Sequence, residues 1–210
     1  MTEIKYRNKI KPTSKNEGFQ QIELLFEVYK LRNNREKLRL KLKTLEKMIK
    51  REINKSLTNK IEAFKLVSAE NNVKIKDIIS ELNISYNIFK MLEDLENNHH
   101  YLANLEEARK KRRVNAQEYE MAKGFYLQKS IDIYNSINQL KNIAILYFQE
   151  LKDNLILLED QHIKLTTEKL REKVSKEEFN QKSHEIESLK HQLEEKLAFL
   201  EVEIIDLELD

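Results

Sequence analysis

Cysteine is absent, and one proline and two glycines serve all 210 residues. Without cysteine there is no disulfide, no thiolate metal site and no thiol nucleophile. So little glycine and proline leaves few positions for tight turns or unusual backbone conformations. A Gly-rich phosphate loop is missing, and no serine stands beside a plausible His and acid. The sequence is therefore expected not to encode an enzyme and to need no cofactor. The longest apolar run, Ile143–Phe148, is six residues, far short of the ~20 that cross a bilayer as a helix. Met1–Gln20 has no apolar stretch resembling a signal peptide. These absences lead to the expectation of a cytoplasmic protein without a transmembrane segment.

What is present is charge. Asp, Glu, Lys and Arg make up 35% of the chain and apolar residues 40%, a composition typical of long helices and too apolar for disorder. The net charge is only +2, but it is unevenly spread. Residues 1–60 carry 17 Lys/Arg against 7 Asp/Glu, and residues 151–210 carry 9 against 16. Such an asymmetry points to an anionic partner for one end, or to association between opposite ends.

The pattern of apolar residues predicts an all-α fold, an elongated coiled-coil-like helical bundle containing a duplicated helical hairpin. Residues 1–16 read as a basic flexible tail, with Ser14 and Glu17 as a capping pair. A long basic helix is expected over 17–70, on the seam Leu38, Leu42, Leu45, Ile49, Ile53, Leu57, Ile61 and Phe64; Asn33-Asn34 interrupts it. A short helix and turn occupy 71–85. Ser85 is read as the N-cap of the next helix, with Ile84 and Phe89 as its hydrophobic staple. Two hairpin units follow, 86–147 and 148–210, the second with an acidic C-terminus.

The duplication rests on two turns. Asn115 with Glu118, and Ser175 with Glu178, have capping-box spacing; Val114 with Tyr119, and Val174 with Phe179, have staple spacing. These pairs recur at an offset of 60. Upstream, Leu92, Leu95, His99 and Leu102 match Leu155, Leu158, His162 and Leu165 at an offset of 63. With no Gly or Pro between the units, residues 116–172 read as one helix of about 85 Å.

Three constellations carry possible chemistry. Glu96 with His99 and Glu159 with His162 repeat the Glu-x-x-His spacing of ferritin-like di-iron bundles, which would make the chain a metal-binding protein. The competing and preferred reading makes both histidines polar seam positions that fix register. Residues 75–95 have the core spacing of a helix-turn-helix in Ile78, Leu82, Ile84, Ile88 and Leu92. Ile79, however, stands where a small residue is usual, and Glu93, Asp94 and Glu96 oppose phosphate. A plain helical corner is preferred over a nucleic-acid reader. Finally, Arg35, Lys37, Arg39, Lys41, Lys43, Lys47, Lys50 and Arg51 form a basic helix suited to an anionic partner, or simply a solvated coiled-coil face.

Phe26–Glu46 is similar to the helical segment of small gas-vesicle accessory proteins, over about a tenth of the chain. The two capped turns are similar to those of archaeal cell-division coiled coils. Both similarities are of generic coiled-coil sequence and imply no activity. The functional expectation is a non-enzymatic coiled-coil scaffold or adaptor that binds other proteins or itself, as a homo-oligomer. The alternative is a nucleic-acid-associated protein using residues 75–95 and the basic helix.

Overall fold

The computed structural model describes residues 15–49 and 55–208. Five helices follow one another: α1 Lys15–Ile49, α2 Lys55–Glu81, α3 Ile88–Lys110, α4 Ala116–Leu170 and α5 Lys176–Leu200. A 3-10 turn, Ile84–Tyr86, joins α2 to α3, and a π-helical turn, Glu201–Ile205, closes α5. The described residues contain no strand, so the fold is all-α. Contacts divide the chain into an N-terminal unit up to Asp94 and a C-terminal unit from Leu95.

In the N-terminal unit α1 and α2 run antiparallel. The Arg35 guanidinium donates to Asn72 Oδ1 at 2.9 Å, and the Asn83 backbone N–H donates to Gln21 Oε1 at 2.8 Å. In one continuous helix, Arg35 and Asn72 would stand about 55 Å apart. The single helix expected over 17–70 is thus two helices packed side by side. The error has a physical cause: two apolar seams that face each other read like one long seam when no Gly or Pro separates them. The α1 seam positions Leu38, Leu42, Leu45 and Ile49 are half-buried, as are Leu57 and Phe64 of α2. Asn33-Asn34 does not interrupt α1. Ile53 and the expected cap Ser14 lie outside the described residues.

Burial is deepest at the base of this hairpin. Ile22, Leu25, Phe26 and Val28 of α1 are buried there, as are Leu82, Tyr86 and Ile88. The turn differs from the expected one. Asn83, in extended conformation, accepts from the Ser85 N–H, and Asn87 Oδ1 accepts from the Lys90 N–H at 3.1 Å. Asn87, not Ser85, therefore caps α3. Ile84 is 62% exposed and forms no staple; Tyr86 is the buried residue instead. The inserted 3-10 turn moves the helix start by two residues and rotates the inward position with it.

In the C-terminal unit α4 is one helix of 55 residues, about 80 Å long. The second part of α3 folds back along its first half. Asn98 Nδ2 lies 3.5 Å from Ser130 Oγ, and the Tyr101 and Tyr126 rings stack at 5.4 Å. α5 folds back along the second half. His162 Nε2 lies 3.0 Å from Ser183 Oγ, and Lys190 Nζ lies 3.3 Å from Glu159. At the far end Lys141 Nζ donates to the Leu207 carbonyl at 2.5 Å, a cation placed where a helix terminus leaves acceptors unsatisfied. The α4 seam is Ser130, Ile133, Ile137, Leu140, Ala144, Tyr147 and Leu151, all buried. Its alternating steps of three and four are those of a heptad.

Both hairpin turns have the same construction. Arg112 at φ 52° and Glu172 at φ 57° take left-handed conformations. The Arg113 N–H reaches the Ala108 carbonyl and the Arg112 N–H that of Arg109; Lys173 to Glu168 and Glu172 to Lys169 repeat this pair of bonds. This is the Schellman termination, here built without glycine. Asn115 and Ser175 then accept from the backbone N–H of Glu118 and Glu178. In the first turn Glu118 reaches back to the Asn115 N–H at 3.1 Å and closes the box. In the second the Glu178 carboxylate takes Lys182 Nζ at 2.7 Å, and the expected reciprocal box is not formed. The residue one turn on explains this, since Ala122 has no charge to offer where Lys182 does. Burial also corrects the repeat itself. Leu95, Asn98, Leu102 and Leu105 correspond in seam position to Leu155, Leu158, His162 and Leu165, so the offset of 60 holds upstream of the turns and the offset of 63 is a false register. A heptad seam nearly matches itself after a shift of three or four residues.

Candidate interaction surfaces

The most strongly charged surface of the N-terminal unit is the arm formed by α1 and α2. Arg35, Lys37, Arg39, Lys41, Lys43 and Lys47 are exposed on α1; Lys50 and Arg51 lie outside the described residues. Because α2 returns along α1, it adds Lys55, Lys60, Lys65, Lys74 and Lys76, all exposed. Reading residues 17–70 as one helix missed this juxtaposition; a hairpin break near residue 50 would have revealed it. Across 30–49 and 55–76 there are 13 Lys/Arg and 4 Asp/Glu. Arg39 meets Glu36 at 3.4 Å with both side chains well exposed, a pairing of little energetic weight. Cations at this density set up a local field for anions that is screened beyond about 10 Å at 0.1 M salt.

Arg32 belongs to a different class. Its guanidinium lies 4.0 Å from the centroid of the Phe89 ring, a cation–π contact that ties α1 to the start of α3. Burial holds Arg32 below its ordinary pKa, with repulsion from Arg35 adding to the effect. Next to Phe89, Lys90 is raised above its ordinary value by hydrogen bonds to Asp94 and then Glu93. The first turns of α3, which a helix-turn-helix would insert into a groove, are thus partly occupied by α1 and fringed by carboxylates.

The two Glu-x-x-His pairs do not come together. Asn98 and Tyr101 place His99 opposite residues near 129 of α4, and His162 lies 33 residues further along that helix, which is about 50 Å. His99 is exposed, not a seam residue as expected, and the seam polar group is its neighbour Asn98, which is fully buried. Glu96 is also exposed, and Glu159 is engaged by Lys190. His162 does sit half-buried in the second seam, against Ser183. Among the described residues no three His, Cys, Asp or Glu side chains converge as metal ligands. No described helix is long and apolar enough to cross a membrane.

The acidic end is partly structured. Glu201 and Asp206 are exposed on and just after the π-helical turn, Glu203 is half-buried, and Ile204 is fully buried beneath them. The groove between α4 and α5 is open and lined by both signs of charge, including Lys164, Glu168, Lys182 and Glu185. Compared with protein families, with curated proteins and with solved structures, the chain matches none.

Proposed function

We propose that this chain is a non-enzymatic helical scaffold or adaptor of the cytoplasm, which binds other proteins or copies of itself and uses the basic arm for an anionic partner. The observation that carries this reading is the arm's charge: 13 cations against 4 acids on two packed helices. A field of that kind speeds encounter with an oppositely charged surface and orients it. An acidic protein surface fits best, and the exposed acids Glu201, Asp206 and Glu208 of a second copy are one source of it. The open, mixed-charge groove between α4 and α5 supports the non-enzymatic part, because chemistry needs a site that excludes water. Nucleic-acid association is the second reading, favoured by the same cations. The carboxylates Glu93 and Asp94 at the corner weigh against base readout there.

The test is a variant with Lys37, Lys41, Lys43 and Lys47 changed to Glu, compared with the parent on an acidic-protein matrix and on duplex DNA. The parent is expected to be retained on the acidic matrix and released by salt, and the variant to pass through with its helical circular dichroism intact. Equal retention of both proteins would sink the proposal. Salt-dependent retention on DNA alone would favour the second reading.

A further inference from the structure

α4 carries a second apolar stripe, and it stays exposed. Its members are Ile131, Ile145, Ile156, Ile163 and Leu170, between 48% and 80% exposed. The four isoleucines each follow a seam residue by one position, and Leu170 follows the half-buried Lys169 that lies over Phe179, which places the stripe about 100° round the helix from the seam. Asn138 fills the remaining place in the series. The steps are seven, seven, eleven, seven and seven residues. On a straight helix the four heptad steps drift about 80° one way and the single eleven-residue step returns about 20°, so the stripe winds by about 60° over about 60 Å, the sense a left-handed supercoil follows.

The same series is a palindrome. Its centre falls between Glu150 and Leu151, and reversal maps Ile145 onto Ile156, Asn138 onto Ile163 and Ile131 onto Leu170. Palindromic placement is what a two-fold, isologous interface between antiparallel helices requires. We propose that α4 pairs antiparallel with α4 of a second copy of this chain, about a two-fold axis between Glu150 and Leu151.

Charge agrees with this orientation. Lys141 and Glu159 each stand three residues after a stripe position, on the same flank. Antiparallel pairing in this register sets Lys141 of one copy beside Glu159 of the other, twice. Both groups have capacity left: Lys141 gives one of its three protons to the Leu207 carbonyl, and Glu159 meets Lys190 through one oxygen. On the other flank Asn142 meets Asp160 and Asn135 meets Thr167, with no like charges opposed. A parallel in-register pair would instead set one flank against the other, leaving Lys141 beside Asn142 and opposing Glu159 to Asp160. Helix contact along about 60 Å buries an area within the ~1,200–2,000 Å² of specific dimers. The central Ile145 and Ile156 are its anchors, and Asn138 is a register-setting polar position of the kind found in coiled coils.

This surface deepens the self-association part of the scaffold reading but shares no residue with the basic arm, so the two fail independently. The experiment uses the full chain, whose lack of cysteine makes engineered thiols unambiguous. Sedimentation of the parent is expected to show a dimer that persists at high salt. Ile145→Gln with Ile156→Gln is expected to give a monomer of unchanged helicity, and the arm variant with four lysines changed to Glu to remain a dimer. On oxidation, Ile145→Cys chains mixed with Ile156→Cys chains are expected to cross-link to each other, and neither variant to itself. A monomeric parent, a dimer that survives both glutamines, or self-cross-linking of Ile145→Cys would overturn the proposal.

Discussion

The two hairpins of the C-terminal unit share their turns and differ in what lies between their helices. Where α5 runs along α4, Cα atoms of the two helices approach within 8 Å along much of their length; α3 and α4 seldom come so close. The stacked rings of Tyr101 and Tyr126 hold the first pair apart, whereas the second passes a serine across a histidine at Ser183 and His162. The seams also differ in depth. Ile133 and Ile137 are 2% and 0% exposed, while their counterparts 60 residues on, Leu193 and Leu197, are only half-buried. Turn chemistry, set by five or six residues, is thus shared between the hairpins. Helix separation and burial are set by side-chain size and by how much else covers the seam, and here the copies have diverged.

Polar layers diverge in the same way. The first hairpin buries Asn98, whose Oδ1 has no partner, beside Ser130. The second has its polar layer nearer its capped end, by one turn on α4 and two on α5, at His162 and Ser183. An unpaired buried acceptor costs stability, and a polar layer out of step with its duplicate penalises a slipped register. Each hairpin is therefore specified against sliding by a different pair.

The depth difference gives the largest expected effect. Ile137→Ala should cost about 2–5 kcal/mol, as for a fully buried aliphatic residue. Leu197→Ala, at the equivalent half-buried place, should cost less than half of that. Urea denaturation of the two variants measures the gap, and equal losses would mean that the seams do not differ in depth.

The caps come next. Asn115→Ala and Ser175→Ala should each cost about 1 kcal/mol, since each removes the acceptor of a helix N-terminal N–H. Glu118 and Glu178 sharpen the comparison. Glu118→Gln can keep a capping box and should be nearly neutral, whereas Glu118→Ala opens it. Glu178→Ala loses only an exposed pair with Lys182 and should change stability by no more than a few tenths of a kcal/mol. Thermal unfolding monitored by circular dichroism at matched pH checks all of these, and a large loss at Glu178 would reveal a closed second box.

The turns themselves offer an expected gain, smaller than the loss at either cap. Arg112 and Glu172 hold left-handed conformations that glycine adopts without strain. Arg112→Gly and Glu172→Gly should each stabilise by about 0.5–1 kcal/mol, the relief at the left-handed position outweighing glycine's larger unfolded-state entropy. Melting temperatures that fall in both variants would show that the Arg and Glu side chains contribute more than their backbone strain costs.

Local chemistry was legible without the fold. Asn115 and Ser175 cap the helices they were expected to cap, the span from Ala116 to Leu170 is unbroken, and the all-α class follows from composition and apolar period. These features depend on residues a few positions apart, and their physics is complete within a turn or two of helix. What failed was relational. The hairpin between α1 and α2, the capping of α3 by Asn87 in place of Ser85, the offset of 60 in place of 63, and the roughly 50 Å between the Glu-x-x-His pairs all depend on which helix lies beside which. A heptad pattern says that a helix has an apolar face and leaves its partner open, because leucine meets any apolar face almost equally well. The packing of α2 against α1, and of α3 and α5 along α4, decided those partners; it gathered the cations of α1 and α2 on one arm and left the isoleucine stripe of α4 uncovered.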